Sequence, residues 1–144
     1  AGVAIDVPAL VAAYRRRAAE VDLLLVEGAG GLLVPLAGRT TFLDLARALE
    51  ARLVVVVAAR LGAINHTLLT LRAAETAGVP VAGWVVNDVS AALRTADLAA
   101  RTLAATLREQ TGVPCLAEVG FGEDAAAALA AALGRLREPA RAAG

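Results

Sequence analysis

The chain contains no lysine and no methionine. Without lysine there is no G-x-x-x-x-G-K-[ST] phosphate loop, whose glycines form a tight turn and whose Lys reaches the β- and γ-phosphates. Without methionine, Ala1 does not read as a natural start, and a missing N-terminal part is expected. One cysteine, Cys115, excludes an intramolecular disulfide and fits a reducing cytosol. One histidine, His66, leaves a Ser–His or Cys–His mechanism nothing else to run through. The 14 basic residues, all Arg, balance 14 acids, and aromatics are only 3%. There is then no basic field for nucleic acid and no aromatic platform for bases, so nucleic acid is not an expected partner. The longest apolar stretch, residues 53–59, is too short to cross a bilayer. The first residues lack the basic-then-apolar order of a signal peptide. No membrane partner is expected, and the location expected is cytoplasmic.

What is present is apolar. Apolar residues make up 58% of 144, enough for the core of one α/β domain over residues 1–144, built from Ala, Leu and Val. A helix is expected over residues 8–19, with Asp6 as its cap and Pro8 in its first turn. Arg15, Arg16 and Arg17 suit its negative end, or could meet a phosphate. Residues 21–26 read as a strand. Thr41 and Asp44 form a capping-box variant at the start of a short helix. Residues 53–57, a continuous β-branched run, read as a strand buried on both faces. A helix over 62–77 ends at Gly78, and a strand follows over 81–86. A helix from Ser90 to about Gln110, a weaker strand over 115–119 and a last helix from Ala125, capped by Asp124, complete the chain. Strands alternating with helices predict a doubly wound, mostly parallel sheet with helices on both faces. Trp84 and Cys115 fall in strands and read as core.

Such a sheet binds ligands beyond the carboxyl ends of its strands. Four of those ends carry polar or glycine chemistry: Glu27-Gly28-Ala29-Gly30-Gly31, then residues 59–66, then Asn87-Asp88, then Gly120-Phe121-Gly122-Glu123. Glu27 is a candidate Mg²⁺ ligand, since a hard cation takes carboxylate oxygen and keeps waters and phosphates as its other ligands. It is equally readable as a solvated acid. The glycines after it either let backbone N–H groups approach an anion or form an ordinary turn. They are not a dinucleotide fingerprint, because Leu33 stands where G-x-G-x-x-G needs Gly. Asn65 either hydrogen-bonds a substrate at a helix N-terminus or caps the helix. Asn87-Asp88 either reads a base edge or forms an Asx turn.

Three blocks carry a resemblance: Val-Glu-Gly-Ala-Gly-Gly from Val26, Leu-Gly-Ala-Ile-Asn-His from Leu61, and Gly-Trp-Val-Val-Asn-Asp from Gly83. Together, in this order, they closely resemble the dethiobiotin synthetase family over about residues 5–119. The resemblance implies a homodimeric, P-loop NTPase-like fold whose N-terminal βα unit, with the P-loop and catalytic lysines, is missing here. It implies an ATP- and Mg²⁺-dependent cyclo-ligase of biotin biosynthesis. That enzyme closes the ureido ring of dethiobiotin from 7,8-diaminononanoate and CO₂, through a carbamate and a mixed anhydride. Glu27 resembles the family's metal-binding acid. Gly28, Ala29 and Gly30 resemble its loop beside triphosphate and diamine. Gly62, Ala63, Ile64 and Asn65 resemble the segment that reaches across the dimer to the substrate carboxylate. Asn87 resembles the adenine-reading amide, with Asp88 beside it. Gly120, Phe121 and Gly122 would line the adenine pocket, although the family usually has Ile-Pro where this chain has Val119-Gly120. The isolated chain is expected to be inactive and poorly soluble. The competing expectation is a non-catalytic α/β partner of a P-loop subunit.

Overall fold

The computed structural model describes residues 5–91 and 98–137, in two compact units. The first comprises the residues up to Arg52 together with residues 73–80. It opens with α1 (Val7–Ala18), where the Asp6 carboxylate accepts the Ala9 N–H at 3.0 Å, the expected cap. Arg17 closes that helix by pairing with Glu20 at 2.7 Å on an exposed surface, so for this Arg the solvated reading holds. No residue of α1 is buried.

Residues 21–26 are the first correction. They run without strand pairing, and Leu25 and Val26 are 67% and 56% exposed. An extended apolar run becomes a strand only when a neighbouring backbone takes up its N–H and C=O groups. None of the described residues does so here. A hairpin that the alternation of segments did not reveal follows instead: β1 (Pro35–Ala37) pairs antiparallel with β2 (Thr40–Thr41). Its signal was Gly38-Arg39, a two-residue turn with glycine in the left-handed region at φ +57°. The hairpin feeds α2 (Phe42–Ala48), whose capping box forms as expected. The Thr41 hydroxyl oxygen accepts the Asp44 N–H, and the Asp44 carboxylate accepts the Thr41 N–H at 2.7 Å.

The second unit is a parallel three-stranded sheet in the order β3 (Leu53–Ala58), β4 (Val81–Asn87), β5 (Cys115–Val119). The helices α3 (Ala63–Thr76) and α4 (Leu98–Gln110) are the two crossovers, and right-handed crossovers between successive strands put both on one face. There Val57, Trp84 and Val86 pack with Ala63, Ala100, Leu103 and Leu107. On the other face Val85, Leu116 and Val119 pack with Ala132 of α5 (Ala125–Arg137). Asp124 caps α5, its Oδ1 accepting the Ala126 N–H at 2.9 Å. Helices therefore cover both faces, as the sequence pattern predicts.

Two expectations need correcting in this unit. The β3 run is buried on one face only: Val54 and Val56 are exposed, Val56 by 66%. One helix about 10 Å across spans roughly two strands at about 4.8 Å spacing, and α5 sits over β4 and β5. The helix expected from Ser90 does not begin there. Ser90 lies in a bend, α4 is described from Leu98, and residues 92–97 of that reading lie outside the described residues.

Trp84 is core, as expected, and Cys115 packs half-buried against the same cluster. Trp84 is fully buried, its indole N–H donates to the Val113 carbonyl at 2.9 Å, and the Arg108 guanidinium lies 5.8 Å from its ring. Arg108 is held in turn by Glu118. Burial pushes the Cys115 thiol above its ordinary value, which disfavours the thiolate.

Candidate functional site

The carboxyl ends of the three parallel strands finish level. Ala58 is paired with Asn87, and Asn87 with Val119. The alignment continues one residue further: the Ala59 N–H donates to the Asn87 carbonyl at 3.1 Å, and the Asp88 N–H to the Val119 carbonyl at 2.9 Å. Three of the four expected clusters thus leave the sheet from one rim: Gly62 to Asn65, Asn87-Asp88, and Gly120 to Gly122. The fourth, around Glu27, belongs to the other unit.

At the end of β3 the chain turns through Gly62 at φ +86°, a left-handed conformation that costs a side-chain-bearing residue strain. The Ala63 N–H donates to the Arg60 carbonyl, and the His66 N–H opens the helical ladder at Gly62. Since α3 starts at Ala63, Asn65 is its third residue and not its cap. The Asn65 side chain is exposed and makes no hydrogen bond among the described residues. The N–H groups of Ile64 and Asn65 precede the first intrahelical acceptor, so they face outward, as at any helix start. Ala63 and Ile64 pack into the core, and that packing fixes the direction of the helix. The arrangement suits an anion: two donors, the positive end of a helix, and an uncommitted carboxamide.

At the end of β4 the two readings divide between neighbours. Asp88 is buried, and its Oδ1 accepts the Ser90 N–H at 3.3 Å, an Asx turn. Asn87 is half-buried, and its side-chain amide makes no hydrogen bond among the described residues. It keeps both donors and its acceptor for another partner.

At the end of β5, Gly120 and Glu123 close a turn on each other. The Gly120 N–H donates to Glu123 Oε2 at 2.9 Å, and the Glu123 N–H donates to the Gly120 carbonyl at 3.1 Å. A Cβ at position 120 would stand 2.6 Å from Glu123 Oε1, so a side chain there would displace the Glu123 carboxylate. The pattern of an acid three residues after glycine was visible in the sequence, but the pairing was not.

In the first unit, Glu27 is exposed and makes neither a hydrogen bond nor an ion pair among the described residues. The loop beyond it is tightly built. Gly28 lies against the Phe42 ring, where a Cβ would meet Cδ1 at 3.2 Å. Gly30 takes φ +86° over Val34, and Ala29 between them is exposed. The Phe42 and Leu43 N–H groups donate to Val34 and Leu32, so the start of α2 is spent on the loop. Among the described residues no three His, Cys, Asp or Glu side chains gather as a metal cage. A free carboxylate is nonetheless what Mg²⁺ needs when waters and phosphate oxygens complete its shell, so Glu27 fits as a single protein ligand. A groove of about 650 Å³ runs along α1 between Val7, Val11, Arg15 and Ala48, and it contains none of the expected site residues.

No helix among the described residues is long and apolar enough to cross a membrane. A protein-family model described as an AAA domain matches residues 1–128. The ATP-dependent dethiobiotin synthetase BioD of Pseudomonas aeruginosa (strain UCBPP-PA14) is 46% identical over 133 residues, which are 92% of this chain and 57% of that relative. The chain thus spans somewhat over half the length of this curated relative. With most of its residues under the family model, and its parallel sheet covered by helices on both faces, the chain belongs to the AAA-domain family, which includes the dethiobiotin synthetases.

Proposed function

We propose that the protein carrying this chain is an ATP-dependent dethiobiotin synthetase. The observation that carries the reading is the level rim of Ala58, Asn87 and Val119, from which two of the three resembling blocks, those beginning at Leu61 and Gly83, depart together with residues 120–122. The 46% identity to a dethiobiotin synthetase over 92% of the chain supports it.

In this reading the substrate is 7,8-diaminononanoate. Its carboxylate sits at the N-terminus of α3, accepting from the N–H groups of Ile64 and Asn65 and from the Asn65 carboxamide, while Gly62 keeps the backbone clear. The docking of Ala63 into the core holds that helix start in place. Gly28, Ala29 and Gly30 line the path between the diamine and the triphosphate. Asn87 reads the adenine edge, Asp88 holds the turn beside it, and Gly120, Phe121 and Gly122 form the pocket wall. Glu27 would hold Mg²⁺, which when bound offsets charge on the phosphate oxygens.

The chemistry balances with CO₂ and ATP. One amine adds to CO₂, giving a carbamate and a proton. The carbamate oxygen takes the γ-phosphoryl group and releases ADP. The second amine attacks that carbonyl carbon and gives up a proton, and phosphate leaves as the ureido ring closes. Substrate positioning supplies much of the acceleration in such a sequence. The chain has no lysine, so any lysine that grips the triphosphate is proposed to come from outside these residues. A homodimer, with the Gly62–Asn65 segment crossing between subunits, and a cytoplasmic location belong to the same proposal.

The test is a mass-resolved assay of the complete gene product containing this chain, given diaminononanoate, bicarbonate and MgATP. Dethiobiotin, ADP and phosphate are expected in equal amounts. Glu27→Gln is expected to lower kcat by about a hundredfold, the scale of losing one group that stabilises developing charge. The 144-residue chain alone is expected to form none. A complete gene product that hydrolyses ATP without making dethiobiotin would refute the assignment.

A further inference from the structure

Glu123 was assigned no role above, yet it stands on the rim where the base is proposed to bind. One of its carboxylate oxygens is engaged. The Gly120 N–H pins Oε2 at 2.9 Å, and the absent side chain of Gly120 leaves the space that Oε1 occupies. Oε1 itself accepts no hydrogen bond among the described residues. Glu123 is exposed, and Phe121, two residues earlier, presents an aromatic side chain that is 46% exposed. An acceptor held by a backbone amide two residues from an exposed aromatic side chain has the parts for reading a base: a ring can stack, and the oxygen can accept from an exocyclic amine.

We propose that Glu123, held by the Gly120 amide, is a specificity-determining residue that selects nucleoside triphosphates whose base presents an amino group on the edge facing Oε1. This rests on the reading of the rim as a nucleotide site. A carboxylate offers acceptors only, so a base with a carbonyl at that position brings acceptor against acceptor. Sites built on a hydrogen bond reject such mismatches far more strongly than apolar pockets reject a change of size.

The pinning makes a sharp prediction. In Glu123→Gln the Gly120 N–H still requires an oxygen, so the new carbonyl oxygen turns to it. The NH₂ group is then left facing the base, and a donor replaces an acceptor with almost no change of shape. The experiment measures Kd for ATP and for ITP, which carries a 6-oxo group in place of the 6-amino group, by calorimetry on the complete gene product. The wild type is expected to favour ATP by about tenfold or more. Glu123→Gln is expected to move the ratio at least tenfold toward ITP. Glu123→Ala is expected to bring the two nucleotides within about threefold of each other, with circular dichroism confirming an intact fold. A merely structural role for Glu123 would weaken both nucleotides together and leave the ratio unmoved in Glu123→Gln, which overturns the inference. Failure of the wild type to bind either nucleotide overturns the nucleotide reading itself, and the inference with it.

Discussion

Residues 5–52 and the parallel-sheet unit have similar apolar character but use it differently. In the sheet unit, β-branched and aromatic residues meet partners on neighbouring strands and helices, and Trp84, Val86, Leu103 and Leu107 are almost wholly removed from water. In residues 5–52 the apolar run over 21–26 has no ladder, no residue of α1 is more than half-buried, and the most buried side chains are those of α2, Leu45 and Ala46, with Leu49 just after it. The hydropathy of a segment therefore does not decide its contribution to stability. That contribution depends on how many partners remove the segment from water.

This contrast can be broken by mutation, and the largest effect belongs to the sheet. Trp84→Ala removes a fully buried ring and its hydrogen bond to Val113, and about 3–5 kcal/mol should be lost. Urea unfolding followed by circular dichroism measures it. A loss below about 1 kcal/mol would mean that the sheet is not the stable part.

Next comes Gly83→Ala. The added Cβ would fall 2.4 Å from Leu116 Cγ on the neighbouring strand, and overpacking of this kind costs about 1–3 kcal/mol. The same urea experiment, now read by Trp84 fluorescence, should show a lower midpoint with the slope unchanged.

The third test sits in residues 5–52. Thr41→Ala removes the cap of α2 and should cost about 1 kcal/mol, seen as faster hydrogen exchange in α2 and not in β4. The same cap sets a pH dependence. Hydrogen bonds from the Thr41 backbone N–H, and then from its hydroxyl, hold the Asp44 carboxyl below its usual value. A lowered folded-state value means the contribution is complete above the ordinary carboxylate range and fades as pH falls through the lowered value. The Thr41 amide resonance should accordingly titrate with a midpoint below about 3.9, and Thr41→Ala should move the Asp44 midpoint upward.

The smallest effect is expected from Leu25→Ser. This side chain is 67% exposed, and the change should stay within about 0.5 kcal/mol. A loss as large as that of Gly83→Ala would show that residues 21–26 are buried in the molecule in solution, and would remove the contrast.

The candidate site was legible to the extent that its parts are local. Asp6, Thr41 with Asp44, Gly78 and Asp124 mark helix ends through contacts within a few residues. The structure shows these ends where the residues place them, with Gly78 at φ +69° and its neighbour Val79 donating back to Ala74 at 2.9 Å. The alternation of helix and strand from residue 53 onward was legible for the same reason, since β5 matches its expected bounds. Less legible were the roles of neighbours on the rim. Whether Asn87 or Asp88 forms the turn depends on which side chain points into the protein, and that follows from the pairing of β4 with β5. Asn65 was readable as a cap until the start of α3 at Ala63 left it inside the first turn.

From its sequence alone this chain determined its helix caps, its parallel α/β pattern and the residue types at each strand end, because those depend on partners a few positions away. Only tertiary structure decided that residues 53–58 form a ladder while 21–26 do not, and that one face of β3 stays open. The reason is physical. A strand needs hydrogen-bond partners, and a buried face needs a cover, and both come from parts of the chain whose distance in space no local pattern encodes.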